Sequence, residues 1–477
     1  MTDTPMPSDE KSASNRRPVN RRRFLRATAV GTAVLTAPAG LGAAANQAEK
    51  PPLPVESDGF EETSPSGVEM DPETTRRAID YATTRNAASL RVYRHNQLVG
   101  TSRLDPVTAE VQNNVWSTTK GVVSMLAGRA VELGHLDVGD RIGKYIPFAD
   151  AAHSRITIEQ LLTQSSGLPL NWSAELSQPP DTVRYTLGLD IEDEPGTDFE
   201  YGQTTCTVLA YAIEQAVGED LQRFAQKQLF GPLGIERDDW FWLRDRAGNT
   251  HGYAYLYIRP TDLARLGHVM LRNGQWRNQQ LLDSSYVERA SAPSDTNPYY
   301  GYLFWINQSD HGYTVDMPDQ KFIRDRRLVE SAPRDMYAFV GFLDQIIFVI
   351  PSLDMVVIRT GFPGNYQLDP QELITAHPGR WMHEFFRILM RAVEDVDVPD
   401  PGPYRNETDL EFDYNYFVDA DENAAALGLG PEAPEGCTVL GCESPVASEG
   451  YVQFGRDAAR TALGNIDDSM GSGLLGF

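Results

Sequence analysis

Apolar residues follow two rhythms along this chain. Ala88-Ser89-Leu90-Arg91-Val92-Tyr93-Arg94 and Gln97 to Ser102 read as two strands around His95-Asn96. Before them, Pro72 to Asn86 has a helical pattern with Asp71 as its cap. A longer apolar-periodic segment opens in Val115-Trp116-Ser117-Thr118-Thr119-Lys120-Gly121-Val122-Val123 and predicts a helix that ends before Gly134. Thr157 would cap a helix through Leu162, and Gln164-Ser165-Ser166-Gly167-Leu168-Pro169 reads as its stop and a loop. Pro195-Gly196 is a turn leading to Phe199-Glu200-Tyr201-Gly202-Gln203. A helix carrying Val208, Leu209, Ala212 and Ile213 follows and stops near Gly218, and another runs from Pro260 to Asn273. Strands return at Tyr300 to Ile306, at Tyr337 to Ile350 and at Met355 to Thr360, before a helix from about Gln371 to Val393.

Strands near both ends with helices between them suggest an α/β (α+β) architecture. One mixed sheet would be flanked by the terminal helices, with a mainly helical domain inserted at about 118–290. Residues 47–66 are rich in Pro, Glu and Ser and read as a linker to a domain at 67–398. Beyond Pro399 the composition shifts to Asp, Glu, Gly and Ala, so 399–477 reads as an acidic, poorly packed extension.

Charge narrows the partners. Of 477 residues, 42 are basic and 67 acidic, a net charge of −25. That argues against a nucleic acid or an anionic membrane surface, and the scarcity of lysine would suit a high-salt habitat. Within 1–46, Asn20-Arg21-Arg22-Arg23-Phe24-Leu25-Arg26 precedes an Ala/Gly/Thr/Val run from Ala27 to Ala45. This reads as a twin-arginine export signal with a cleavage site near Ala43-Ala44-Ala45. The alternative is a short membrane anchor, but the run is poor in Leu and Phe for a transmembrane helix. The mature protein would then be extracellular, periplasmic or at the cell surface, without a stable membrane span. Cys206 reads as a core residue; Cys437 and Cys442 are either a small disulfide or two free thiols.

The candidate chemistry lies at the helix that starts near Ser117. Residues three apart share a helix face, so Lys120 would stand one turn from Ser117. A serine hydroxyl is a weak nucleophile until a base takes its proton. Lysine can be that base only when neutral, a form favoured by burial and by the positive end of a helix. Backbone N–H groups at the helix start could hold an oxyanion. The alternative reading is a Ser117 N-cap with Lys120 solvated. The same spacing recurs at Ser8-Asp9-Glu10-Lys11, in a polar stretch where it carries no meaning.

With these stretches in place, residues 75 to 395 resemble the penicillin-recognising serine hydrolases: class C β-lactamases, D-alanyl-D-alanine carboxypeptidases, related esterases and nylon-oligomer hydrolases. The resemblance rests on Ser117-Thr118-Thr119-Lys120, on Leu161-Leu162-Thr163-Gln164-Ser165-Ser166-Gly167-Leu168, and on Pro195-Gly196 through Tyr201-Gly202-Gln203. Tyr300 to Trp305, and Val340-Gly341-Phe342 running into Val349 to Asp354, add to it. It implies a β-lactamase-like antiparallel sheet, acylation of Ser117, Lys120 as base and Tyr201 in the proton relay. The other reading of Tyr201 is a core aromatic. Gln203 stands where the family has asparagine and would touch substrate. Gly341 matches the third motif, whose cation is missing, and Phe342 would donate an oxyanion N–H.

The resemblance implies a small ester or amide as substrate and no cofactor. A strand without a cation suits a neutral substrate, unless Arg334 folds in. The rival is a non-catalytic binding protein on the same scaffold. No metal motif stands out: His377 and His383 are six apart, and Asp419-Ala420-Asp421-Glu422-Asn423-Ala424 departs from a calcium loop. The export reading has a direct check. Changing Arg21 and Arg22 to lysine is expected to leave unprocessed protein inside the cell, visible on fractionation, whereas normal secretion would rule out the twin-arginine route.

Overall fold

The computed structural model describes residues 60–85, 87–169, 179–314, 323–361 and 379–405, with the backbone of 437–438 and 441–442. Helix α1 (Pro72–Thr83) starts on a proline, and the Asp71 carboxylate accepts the Thr74 N–H at 2.8 Å. Strands β1 (Ala87–Arg94) and β2 (Gln97–Thr101) form a hairpin. His95 and Asn96 turn it with φ of 51° and 59°, the geometry whose twist suits two strands. Next come β3 (Asn113–Asn114), α2 (Thr118–Glu132) and α3 (Thr204–Val217). Strands β4 (Trp240–Trp242) and β5 (Leu256–Ile258) precede α4 (Pro260–Leu271). Strands β6 (Trp305–Ile306), β7 (Tyr337–Gly341), β8 (Gln345–Ile350) and β9 (Met355–Gly361) lead to α5 (Arg380–Met390).

The main sheet has the order β2-β1-β9-β8-β7-β6, and every neighbouring pair is antiparallel. The mixed sheet inferred from rhythm alone is corrected to the antiparallel one that the family resemblance implies. The connections explain it. Tight turns join β7 to β8 and β8 to β9, and only antiparallel neighbours can be joined so briefly. Tyr337 to Ile350 is two strands, because Leu343 and Asp344 take φ of 60° and 59° and fold the chain back. Only Trp305 and Ile306 of the stretch from Tyr300 form a strand, since Tyr300 loops back to bridge Trp305. The mainly helical region also contributes to a three-stranded sheet, β3-β5-β4. Its strands are too short for periodicity to reveal.

Alternation on β8 separates two cores. Ile347 and Val349 join Val122, Leu126, Val208, Leu209 and Leu266 on the face covered by α2, α3 and α4. Ile346, Phe348 and Ile350 face Ala78, Ile79, Phe385, Phe386 and Leu389 of the terminal helices. Helix α2 is enclosed over most of its length: every residue from Thr118 to Gly128 is inside, the polar Thr118, Thr119, Lys120 and Ser124 included.

The ends of the domain differ from expectation in detail. Phe60, inside the stretch read as linker, packs edge-on to Tyr93 and tilted against His268, with ring centroids 4.9 and 4.2 Å apart. Past Pro399, Asp400 pairs with Arg387 and Arg391 of the α5 end, so the first residues of the extension are anchored. Cys206 is buried in α3. Cys437 and Cys442 stand opposite one another on two short antiparallel strands. The export signal, residues 371–378 and most of the acidic extension lie outside the described residues. Among those described, no helix is long and apolar enough to cross a membrane.

One glycine tests how tightly α2 meets the sheet. A Cβ at Gly121 would lie 2.2 Å from the Phe339 ring. Alanine gains up to about 1 kcal/mol in helix propensity, but overpacking costs about 1–3 kcal/mol, so crowding wins. Gly121→Ala should lower the melting temperature by several degrees, and Phe339→Leu in the same chain should recover part of the loss by calorimetry.

Candidate active site

Strand β3 and the turn after it deliver Ser117 to the start of α2. Val115 N–H donates to Leu256 O at 2.9 Å, fixing the turn to β5. Trp116 then takes φ of 45°, a region a bulky side chain adopts only where the surroundings force it. Ser117 is the first residue of helical conformation, yet its side chain caps nothing. The N-cap reading therefore fails locally: the hydroxyl is left to face its neighbour one turn on. Lys120 Nζ donates to Ser117 Oγ at 3.0 Å. Ser117 is half-exposed and Lys120 only 1% exposed.

The amine has neutral company. It donates to Gln203 Oε1 and lies 4.6 Å from the ring centre of Tyr201 and 5.9 Å from that of Tyr253. Among the described residues no carboxylate pairs with it. Gln203 ends the approach to α3, and its extra methylene brings the amide oxygen to the lysine rather than leaving it for substrate alone. The loop at 164–167 holds this segment. Glu200 N–H donates to Gln164 O at 2.8 Å, Gly196 N–H to Ser165 O at 2.7 Å, and Gln164 Nε2 to Cys206 Sγ at 3.2 Å. That is the physical link between two sequence stretches some thirty residues apart.

Tyr201 is buried, with its ring 5.9 Å from Tyr300 and 5.5 Å from Trp305. Its face meets the amine, and among the described residues its hydroxyl has no hydrogen-bond partner. Burial pushes the Tyr300 phenol well above its ordinary range, so Tyr300 stays neutral.

Strand β7 comes unusually near the Ser117 turn. A Cβ at Gly341 would lie 2.2 Å from Val115 O and 3.0 Å from the Thr118 nitrogen, so only glycine fits. Phe342 follows at the rim, 37% exposed, with its ring edge-on to Trp116 at 5.5 Å. Among the described residues, neither the Ser117 nor the Phe342 N–H is taken up by another loop or side chain. Helix α2 presents its positive end here as well. Strand β7 carries no cation. Arg334 does not supply one, because both its contacts to Asp310, at 2.9 and 2.8 Å, tie it down at an exposed ion pair.

The structure thus gathers Ser117, Lys120, Tyr201, Gln203, Gly341 and Phe342 around one point. It adds residues the sequence reading missed: Trp116, Tyr253, Tyr255 and His251. Trp116 lies 5.8 Å from Tyr255, and His251 lies between the two tyrosines at 5.5 and 5.1 Å. Burial pushes His251 down to about 4, so its imidazole is neutral near pH 7. The run His251-Gly252-Tyr253-Ala254-Tyr255 was the available signal, an aromatic alternation with no helical period. Elsewhere Glu69, His95 and Asp395 cluster within 4.8 Å. Arg94 already grips both Asp395 oxygens at 2.6 and 2.8 Å, and His95 Nδ1 meets Asp354 at 3.1 Å, so the group reads as an ion-pair network. His383 binds Gly402 O at 2.9 Å.

Comparison with known proteins bears on this geometry. An N-acetylmuramyl-L-alanine amidase of Bacillus subtilis (strain 168) is 24% identical over 303 residues, 51% of this chain and 66% of the relative. A protein of Escherichia coli (strain K12), provisionally assigned as a D-alanyl-D-alanine carboxypeptidase, is 23% identical over 235 residues, 36% of this chain and 54% of the relative. The chain thus spans between about half and two thirds of the length of these two relatives. The solved structure of SurE aligns with a TM-score of 0.50 at 18% identity, over 74% of this chain and 82% of the other, which speaks to the fold. The family model described as Beta-lactamase matches residues 75–360. That span takes in the Ser117 turn, the Tyr201 segment and strand β7 together, and with it the chain belongs to the beta-lactamase family.

Proposed function

We propose that the chain is an exported serine hydrolase that cleaves an ester or amide through a Ser117 acyl-enzyme. The observation that carries this reading is the 3.0 Å contact between Lys120 Nζ and a Ser117 hydroxyl that caps nothing. The amine sits in neutral company within hydrogen-bond reach of the hydroxyl, placed to take the serine proton. Ser117 Oγ would bond to the substrate carbonyl carbon as its proton passes to Lys120. The oxyanion would form against the Ser117 and Phe342 N–H groups. Collapse would break the bond to the leaving group, which takes a proton relayed by Tyr201. Water would then release the acid by the same path and restore Ser117. The amidase name of the Bacillus subtilis relative keeps amides in this reading beside esters.

The rival, a binding protein that does no chemistry, would leave the same contacts idle. A fluorophosphonate probe separates the two. The parent is expected to label, Ser117→Ala to lose labelling and turnover while staying folded, and Lys120→Ala to be nearly as damaging, since residues acting as a unit give non-additive losses. Full activity in either variant would move the site elsewhere. Tyr201→Phe removes only the hydroxyl. A relay role predicts a fall of roughly a hundredfold or more in kcat. A rate within about twofold would mean that the ring alone matters, as a face for the lysine amine or as packing.

The substrate class follows from the charge that β7 lacks. A wall of Trp116, Tyr253, Tyr255 and Phe342 beside a neutral strand supports a neutral substrate, and a buried carboxylate there would have no partner. Short-chain p-nitrophenyl esters are therefore expected to be hydrolysed measurably, and a chromogenic cephalosporin little or not at all. Efficient cephalosporin turnover with poor esterase activity would overturn this.

A further inference from the structure

The turn from β7 to β8 is held in a shape that side chains rarely adopt. Leu343 and Asp344 are both left-handed, with φ of 60° and 59°. Consecutive residues stay there only where the surroundings over-determine them. Three groups do so. Gln345 Nε2 donates to Leu343 O at 2.7 Å and to Gly361 O, while its Oε1 accepts the Gly361 N–H at 3.2 Å. The main-chain carbonyl of Gln345 accepts the Thr118 hydroxyl at 2.5 Å. Arg359, fully buried, donates to Asp344 O at 2.8 Å and to Arg85 O at 2.7 Å. Gln345 is itself 4% exposed, and it touches the turn, the end of β9 and the first turn of α2 at once.

The turn begins with Phe342. A backbone donor has no rotamer to adjust, so its aim is set by the dihedrals of the peptides around it. The Phe342 N–H lies on the peptide that joins Gly341 to the turn, so holding Leu343 and Asp344 holds the end of β7 that carries it. We infer that Gln345 is a positioning residue for the oxyanion site, its buried amide locking the Phe342–Asp344 turn so that the Phe342 N–H faces the carbonyl attacked by Ser117. The inference rests on reading Ser117 as nucleophile and Phe342 as donor. The Thr118 bond gives it a second consequence: nucleophile and donor are both registered against the same residue, one through α2 and one through the turn. Charge on the oxyanion develops only in the transition state, so loosening this device should lower kcat and leave KM alone.

The experiment is p-nitrophenyl acetate kinetics on the full chain, with active sites counted by fluorophosphonate labelling. Gln345→Met keeps the length and volume of the side chain and removes the amide. It is expected to lower kcat per labelled site by about tenfold or more, the scale of a displaced oxyanion donor, with KM within about twofold. A purely structural role would instead reduce the melting temperature and the number of labelled sites while leaving kcat per site unchanged. That outcome would overturn the inference. If Gln345→Met does not fold, Thr118→Val removes the hydroxyl that holds the Gln345 carbonyl. It should lower kcat per site about threefold or more at constant KM, and an unchanged kcat would equally overturn it. A parent chain that the probe ignores would sink the nucleophile reading first, and this inference with it.

Discussion

The site depends on burying one amine. Lys120 is 1% exposed, so its amine must find its partners inside the protein. Those partners are neutral: the Ser117 hydroxyl, the Gln203 amide oxygen and the faces of two tyrosines. Such an arrangement requires α2 to be enclosed on every side. A helix gains that position only if a sheet covers one flank and other helices cover the rest. The six-stranded sheet, α3 and α4 supply those walls. The terminal helices α1 and α5 then close the far side of the sheet, so that β8 is buried on both faces.

Enclosure also lets the scaffold bear strain near Ser117. Trp116, Leu343 and Asp344 all take left-handed backbone conformations, each costing roughly 1–3 kcal/mol. They surround the Ser117 turn and the mouth of the candidate site. Gly341 lets the two strained turns approach, since any Cβ there would meet Val115 O. Buried arginines spend their charge on carbonyls and carboxylates of the framework, as Arg359 does on Asp344 and Arg94 on Asp395. Among the described residues, the wall of the site is aromatic, with Trp116, Tyr253, Tyr255 and Phe342 in it.

Local chemistry was legible in the order of residues. Asp71 and the Thr157–Gln160 capping box fix helix starts, and Gly134, Gly218 and Gly274 take the positive φ that ends helices. The His95-Asn96 hairpin and the one-turn spacing of Ser117 and Lys120 belong to the same class. Each depends on atoms within about four residues, where backbone geometry leaves few choices. The antiparallel sense of the sheet came from the family resemblance rather than from rhythm, because strand direction depends on which segments meet.

The rest needed the folded chain. Local spacing sets Lys120 one turn from Ser117, but nothing local says that the Ser117 hydroxyl leaves the helix N-terminus uncapped. The Lys120–Gln203 contact joins residues 83 apart, and the Thr118–Gln345 contact residues 227 apart. The aromatic wall of Tyr253 and Tyr255, the split of β7 from β8 and the orientation of the Tyr201 ring are of the same kind. The sequence by itself determined where several helices begin, that Ser117 and Lys120 lie one turn apart on α2 and that no cation follows on β7. Tertiary structure alone decided what surrounds the lysine, because burial and partner choice are properties of packed layers, and packing is not encoded in any window short enough to read by period.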